Sequence, residues 1–357
     1  MNPDLLRFIR TKYEGKTVLI TGCSGFKGSW LCFLLKKIGA RVVGIADRVE
    51  DYHHNFNALK LIESIKFHLC DVRNHDLLQK TILSEKPDYI FHLAAKAFVG
   101  ECESNPKLAY EVNVMGTVNL FECLREYAND CKVCVVTSDK VYGNDGRRVG
   151  YIETDPLAPT DFYGSSKACA DIITKCYRAQ RRGSKSIITV RAGNVIGGGD
   201  WSPGRLVPDL VISLAQSVPL MLRNPDHIRP WQHVYDVLFQ YVLLTCMDCD
   251  QMEQSTDFNI APHPDNQVSV ESFVSQFLAI WGQPGHEVKI LPVAIKEHPI
   301  LFLDGRKAHK IMGLQHTNSL HKSLADTVEF YRASIEGIDL LSLAHHQIDR
   351  YFNQDEH

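Results

Sequence analysis

No stretch of this 357-residue chain approaches the ~20 consecutive apolar residues of a membrane span. Charge in excess is also scarce: 39 Lys and Arg against 42 Asp and Glu leave a net −3, which gives no basic footprint for nucleic acid. Met1 to Lys16 is mixed and charged without the apolar core of a signal peptide, and reads as a short helix packed on the outside. No internal repeat and no low-complexity tract is visible. Cysteine is present, but its eleven residues are odd in number and spread through a long chain, many inside apolar patterns (Cys32, Cys123, Cys134, Cys169, Cys176). That argues against a disulfide scaffold and for the reducing cytoplasm. Cys131-Lys132-Val133-Cys134 has C-x-x-C spacing but runs into a strand and has no second ligand pair. His53-His54 and His345-His346 lack a third ligand, so no metal site is expected. What remains, 45% hydrophobic and 23% charged, is an ordinary soluble globular composition, enough for one large domain or two intimate ones.

The first ordered pattern is a βαβ unit. Lys16 to Ile20 reads as a strand, and Trp30, Leu31, Leu34, Leu35 and Ile38 recur at helical spacing up to Gly39. Arg41 to Ile45 is the next strand. Between strand and helix lie Gly22, Ser24, Gly25, Phe26, Lys27 and Gly28. Glycines in such a turn let backbone approach a diphosphate that the helix N-terminus then holds. Asp47, 19 residues beyond Gly28, stands where a carboxylate bonds the adenosine ribose of NAD. Arg48 beside it suits a 2′-phosphate, which leaves NADP open. Two further strands end in Asp71-Val72, suited to an adenine, and in Leu93-Ala94-Ala95, small enough for close approach to a cofactor.

A second pattern begins at Val133 to Thr137, a buried strand that delivers Ser138-Asp139-Lys140 to its carboxyl end, where open α/β sheets bind ligands. Tyr163 and Lys167 follow at the start of a helical stretch from Ser165 to Arg178. Four residues apart, they share a helix face, so the ammonium can lie near the phenol and lower its pKa. The phenolate can then take a proton from a hydroxyl whose carbon loses a hydride. Glu111 to Tyr127 reads as a long amphipathic helix with Asn113 near its start, and Ser186 to Arg191 as another strand. The architecture expected is a doubly wound parallel α/β sheet with a smaller C-terminal α/β lobe. Residues 1–190 would bind the cofactor. Residues 191–335 would mainly bind substrate, with some segments returning to the first domain, and 336–357 would form a helix and tail.

In this order, the glycine turn, the Asp71 motif, Leu93-Ala94-Ala95, Asn113, the Tyr163/Lys167 pair and Asn194 resemble the extended short-chain dehydrogenase/reductases through about residue 330. Gly25 to Leu31, Thr137 to Lys140, Arg191 to Trp201, Arg223-Asn224-Pro225 and Ile228 to Val234 resemble most the CDP-glucose 4,6-dehydratases. The resemblance implies a redox-neutral reaction of a nucleotide sugar. Tyr163 takes the C4 hydroxyl proton as NAD takes the C4 hydride, water leaves across C5–C6, and the hydride returns to C6. It makes Asp139 the acid for the departing hydroxyl and Ser138 a partner of the C4 oxygen. Lys140 falls where related dTDP-glucose enzymes carry a Glu as C5 base. It either serves as the base or stabilises the C5 enolate. Substrate contacts implied are Lys96, Asn194, Arg205 with Val207, and Arg229 as a diphosphate clamp. A homodimer through the two long helices, or a dimer of dimers, is expected by the same analogy.

Some loops depart from that pattern. Lys96-Ala97-Phe98-Val99-Gly100-Glu101 is more similar to UDP-sugar 4-epimerases, Cys23 replaces a usual His, and Asn144 to Arg148 lacks the expected tryptophans. A nucleotide-sugar 4-epimerase is therefore the alternative enzyme. A cofactor-binding regulatory protein without catalysis is the alternative from another class.

Overall fold

The computed structural model describes residues 3–49, 55–127, 131–143, 145–180, 187–247, 256–292, 299–314 and 318–353. His53, His54, Asn144 and Ser186 lie outside them.

Seven strands form one parallel sheet: β1 (Thr17–Thr21), β2 (Arg41–Ala46), β3 (Lys66–Leu69), β4 (Tyr89–His92), β5 (Lys132–Val136), β6 (Ile187–Ala192) and β7 (Asp257–Ile260). Their spatial order is β7-β6-β5-β4-β1-β2-β3. The chain reverses direction across the sheet between β1 and β4, which opens a crevice at their carboxyl ends. The central strands are apolar on both faces because both are covered. In β1, Val18 and Ile20 enter one core and Leu19 the other; in β5, Cys134 and Val136 oppose Val133 and Val135. The first core is closed by the Phe26–Lys37 helix and by Val234–Cys246, a helix buried on every side. The second face is closed by the Gly116–Glu126 helix through Leu120, Phe121, Cys123 and Leu124.

A separate hydrophobic cluster lies outside the sheet, built from residues between Ile196 and Tyr331 and centred on Phe273, Phe277 and Leu324. The Leu320–Glu336 helix joins it to the sheet: Leu324, Val328 and Tyr331 enter the cluster while Phe330 enters the first core, where Trp30 meets it edge-on and donates its indole N–H to the Gly198 carbonyl at 2.9 Å. Gly198 has no room for a side chain, since a Cβ would stand 2.1 Å from the Phe330 ring.

The N-terminal helix, Pro3–Tyr13, packs on the outside as expected, anchored by the buried Ile9 and Tyr13, whose hydroxyl donates to the Val242 carbonyl. Two elements differ from expectation. Glu111–Met115 is a π-helical turn ahead of the α-helix. The helix carrying Tyr163 runs Phe162–Gln180, so Tyr163 sits in its first turn.

Candidate active site

The glycine turn has the shape of a diphosphate cradle. Gly22 takes φ +72°, and a Cβ there would collide with the Ala94 nitrogen at 2.7 Å. At Gly28 a Cβ would stand 2.0 Å from the Gly22 carbonyl oxygen. Both glycines let helix, turn and β4 meet. Gly25 is different: its Cβ direction is open apart from the Gly22 oxygen at 3.5 Å. Gly25 also caps the Phe26–Lys37 helix without a side-chain bond, and no acidic residue occupies the first turn. Its N–H groups are thus available to an anion. Lys27 adds a cation, its pKa lowered to about 8 by burial and by Arg205. The Ser24 hydroxyl is committed to the Arg48 carbonyl at 2.8 Å.

On the adenosine side, Asp47 is exposed one residue past β2. Asp71 follows β3 and is gripped by Arg73, which donates from Nη2 at 2.7 Å and from Nε at 3.0 Å. That hydrogen bonding holds the Asp71 carboxyl below the usual range. Val72 is buried beside Gly116, where a Cβ would stand 2.6 Å from Val72 Cγ2.

Leu93-Ala94-Ala95 is held by a chain of bonds through a buried histidine. Ala94 N–H donates to Thr21 Oγ1 at 3.2 Å, and Thr21 pairs with His92 Nδ1 at 2.8 Å. His92 Nε2 meets Thr117 Oγ1 at 3.2 Å, and Thr117 donates to the Asn113 carbonyl at 2.7 Å. Since Thr117 gives its one proton to the Asn113 carbonyl, it can only accept from His92, which puts the ring proton on Nε2 and leaves Nδ1 to accept from Thr21. Burial lowers His92 to about 3, so the ring is neutral. Asn113, brought inward by the π turn, accepts from Lys96 N–H at 2.7 Å and donates to Ser166 Oγ at 2.8 Å. The loop after β4 is thereby tied to the helix of Tyr163.

The strand-end motif forms a tight turn opposite that helix. Ser138 caps it, accepting from Lys140 N–H at 3.2 Å and donating to Asp139 Oδ1 at 2.9 Å. Asp139 is buried, and burial raises its pKa despite Ser138, Lys140 and Arg229. A raised pKa makes the carboxyl easier to protonate, the direction an acid requires. Its Oδ2 approaches Gly193, where a Cβ would stand 2.9 Å away. Tyr163 is pushed up to about 12 by burial, with Ser138 as hydrogen-bond partner and Arg205 as the cation drawing it down. Lys167 was expected to supply that pull. Instead its ammonium donates to the Val136 carbonyl at 2.7 Å, and burial with Lys27 lowers it to about 7.

The substrate contacts gather less completely. Lys96 Nζ pairs with Glu101 at 2.9 Å. Arg205 pairs with Asp200 at 2.9 Å and lies over the Phe98 ring at 4.7 Å. The Arg229 guanidinium donates to the Ile228 and Pro299 carbonyls, yet remains within electrostatic reach of Asp139. Val207 turns its side chain into the cluster outside the sheet, leaving only backbone for a ligand. Asn194 uses its carbonyl to accept from Gln232 N–H at 3.0 Å. Sequence reasoning passed over Asp161, whose Oδ1 accepts from Gly164 N–H at 2.7 Å. An Asp two residues before a Tyr that opens a helix is a capping signal. It also passed over Asp171, the buried partner of Arg191.

Residues 18–261 match the model of the NAD dependent epimerase/dehydratase family. A CDP-glucose 4,6-dehydratase of Salmonella typhimurium is 33% identical over 96% of this chain and 97% of that protein. A UDP-glucose 4-epimerase of Mycoplasma pneumoniae is 26% identical over 88% and 96%. Among solved structures, a dTDP-glucose 4,6-dehydratase of Streptomyces venezuelae superposes with TM-score 0.79 at 24% identity, over 91% of this chain and 99% of that one.

Proposed function

We propose that the chain, which belongs to the NAD dependent epimerase/dehydratase family, is an NAD-dependent nucleotide-sugar 4,6-dehydratase. It is a hydro-lyase that converts an NDP-hexose to its 4-keto-6-deoxy form. The cradle at Gly25 with the uncapped helix and Lys27 would hold the diphosphate of NAD, and Asp47 and Asp71 its adenosine. NAD, when bound, would supply the hydride acceptor for the sugar C4 and the hydride donor for C6. Tyr163 takes the proton of the C4 hydroxyl, and burial at about 12 makes it a strong base once ionised. The 4-ketone acidifies C5–H. Asp139 gives its proton to the C6 hydroxyl, which leaves as water.

One observation carries this reading over epimerisation: Asp139, a buried carboxyl of raised pKa, shares Ser138 with the catalytic tyrosine. An epimerase needs no acid at C6. Asp139→Asn is expected to stop water loss while oxidation at C4 continues, seen as the absorbance of reduced nicotinamide. Water loss at the wild-type rate in this variant would refute the assignment.

The finer assignments follow the same reading. CDP-glucose is the proposed substrate, supported by the Salmonella relative. Residues 1–190 are assigned to the cofactor and 191–335 mainly to the sugar nucleotide, supported by the separate core between Ile196 and Tyr331. A cytoplasmic homodimer is supported by free thiols at every described cysteine and by Met115, Phe162 and Ile172, exposed on the two long helical segments.

A further inference from the structure

Lys140 presents a chemical difficulty: an amine at this position ordinarily arrives as an ammonium. Its neighbour in sequence, Asp139, is turned toward Ser138 and Gly193. The Lys140 ammonium faces Asp161 instead, Nζ to Oδ2 at 3.6 Å, with both side chains roughly three-quarters buried (30% and 26% exposed). The other oxygen of Asp161 accepts from Gly164 N–H at 2.7 Å and so caps the helix whose first turn carries Tyr163. Turn and helix are in direct contact there, since a Cβ on Gly164 would stand 2.4 Å from the Lys140 carbonyl oxygen. One carboxylate therefore fixes two things together, the start of the tyrosine helix and the place of the Lys140 ammonium.

We propose that Asp161 is a positioning residue for the chemistry at C5, holding Lys140 in register with Tyr163 and balancing its charge. This rests on the dehydratase reading. The turn carries a cation at Lys140, and the carboxylate that faces it comes from the cap of the Tyr163 helix. The other ionisable groups facing the pair are Asp139 on the turn, Tyr163 on the helix, and Cys102 and Glu103 on the Val99–Ser104 helix. Each is fixed by contacts of its own, so Asp161 can be changed separately.

Asp161→Asn keeps a side-chain oxygen for the helix cap and removes the charge facing Lys140. With CDP-glucose in heavy water, the variant is expected to unfold at the wild-type midpoint and still accumulate reduced nicotinamide. Its water loss and deuterium uptake at C5 should slow by about a hundredfold while oxidation at C4 is retained. Asp161→Glu, which restores the charge, should recover part of the rate. The proposal fails if Asp161→Asn releases water at the wild-type rate. It also fails if oxidation at C4 and water loss fall in the same proportion, which a purely structural cap would produce. A wild-type enzyme that releases no water from any nucleotide sugar defeats the dehydratase reading itself, whatever the variant does.

Discussion

Arg191 grips Asp171 with two parallel bonds, Nε to Oδ2 at 2.8 Å and Nη2 to Oδ1 at 2.9 Å, and neither side chain is exposed. Asp171 lies one turn beyond Lys167 on the catalytic helix, and Arg191 also donates to the Tyr142 hydroxyl at 2.7 Å, just past the Asp139 turn. The end of β6, the helix of Tyr163 and the turn after Asp139 thus meet on one guanidinium. Removing one partner of such a pair strands the other charge in the interior, a loss of about 3–5 kcal/mol. Arg191→Met should lower the urea midpoint accordingly. An unchanged midpoint would mean that the pair holds nothing together.

The glycine turn separates folding from binding. Gly25→Ala is expected to keep the wild-type unfolding midpoint, because φ there is −73° and its Cβ enters open space. NAD affinity measured by calorimetry should weaken by about tenfold, the equivalent of ~1.4 kcal/mol of lost backbone contact. Gly28→Ala, with its Cβ 2.0 Å from the Gly22 oxygen, should lose stability and binding together.

How much of this could be read beforehand depended on how local the signal was. Gly22, Gly25 and Gly28 between strand and helix, and Tyr163 with Lys167 on one helix face, are patterns within a few residues, and the fold built on them is the one observed. Contacts between distant segments left weaker traces. Arg191 in an apolar strand demanded a buried partner, but nothing nearby pointed to Asp171. The π turn that brings Asn113 inward has no composition of its own. Lys167 was expected to act on Tyr163, yet the carbonyl of Val136, at the end of β5, captures its ammonium. Arg205, far along the chain, became the cation that acts on the phenol.

Gly193 sets the place of the acid. Gly193→Ala would put a methyl 2.9 Å from Asp139 Oδ2 and 3.1 Å from Pro230 Cγ, and the carboxyl is the softer neighbour. The expected outcome is slowed water loss with oxidation at C4 retained, read as accumulation of reduced nicotinamide. Equal loss of both steps would place the effect elsewhere.

Two buried histidines set the acid limit of stability. His92 and His233 are lowered to about 3 by burial, whereas an unfolded histidine titrates near 6.5. Below that value the unfolded chain binds protons that the folded one refuses. Their stabilisation is therefore complete above about pH 6.5 and lost as pH falls toward 3, by about 1.4 kcal/mol per pH unit for each histidine. Asp236, raised to about 7 by burial, works the other way over this window, so the check is the difference: His92→Gln should flatten the histidine part of the fall in urea midpoint between pH 7 and pH 5. A slope unchanged by that substitution would contradict the assignment.

The most direct test incubates the protein with NAD and CDP-, dTDP-, UDP- and GDP-linked hexoses in heavy water, followed by mass spectrometry. A dehydratase yields a product lighter by one water and carrying solvent deuterium, and the nucleotide that reacts names the substrate. An isomer of unchanged composition without deuterium would make the enzyme a 4-epimerase and leave Asp139 without its task.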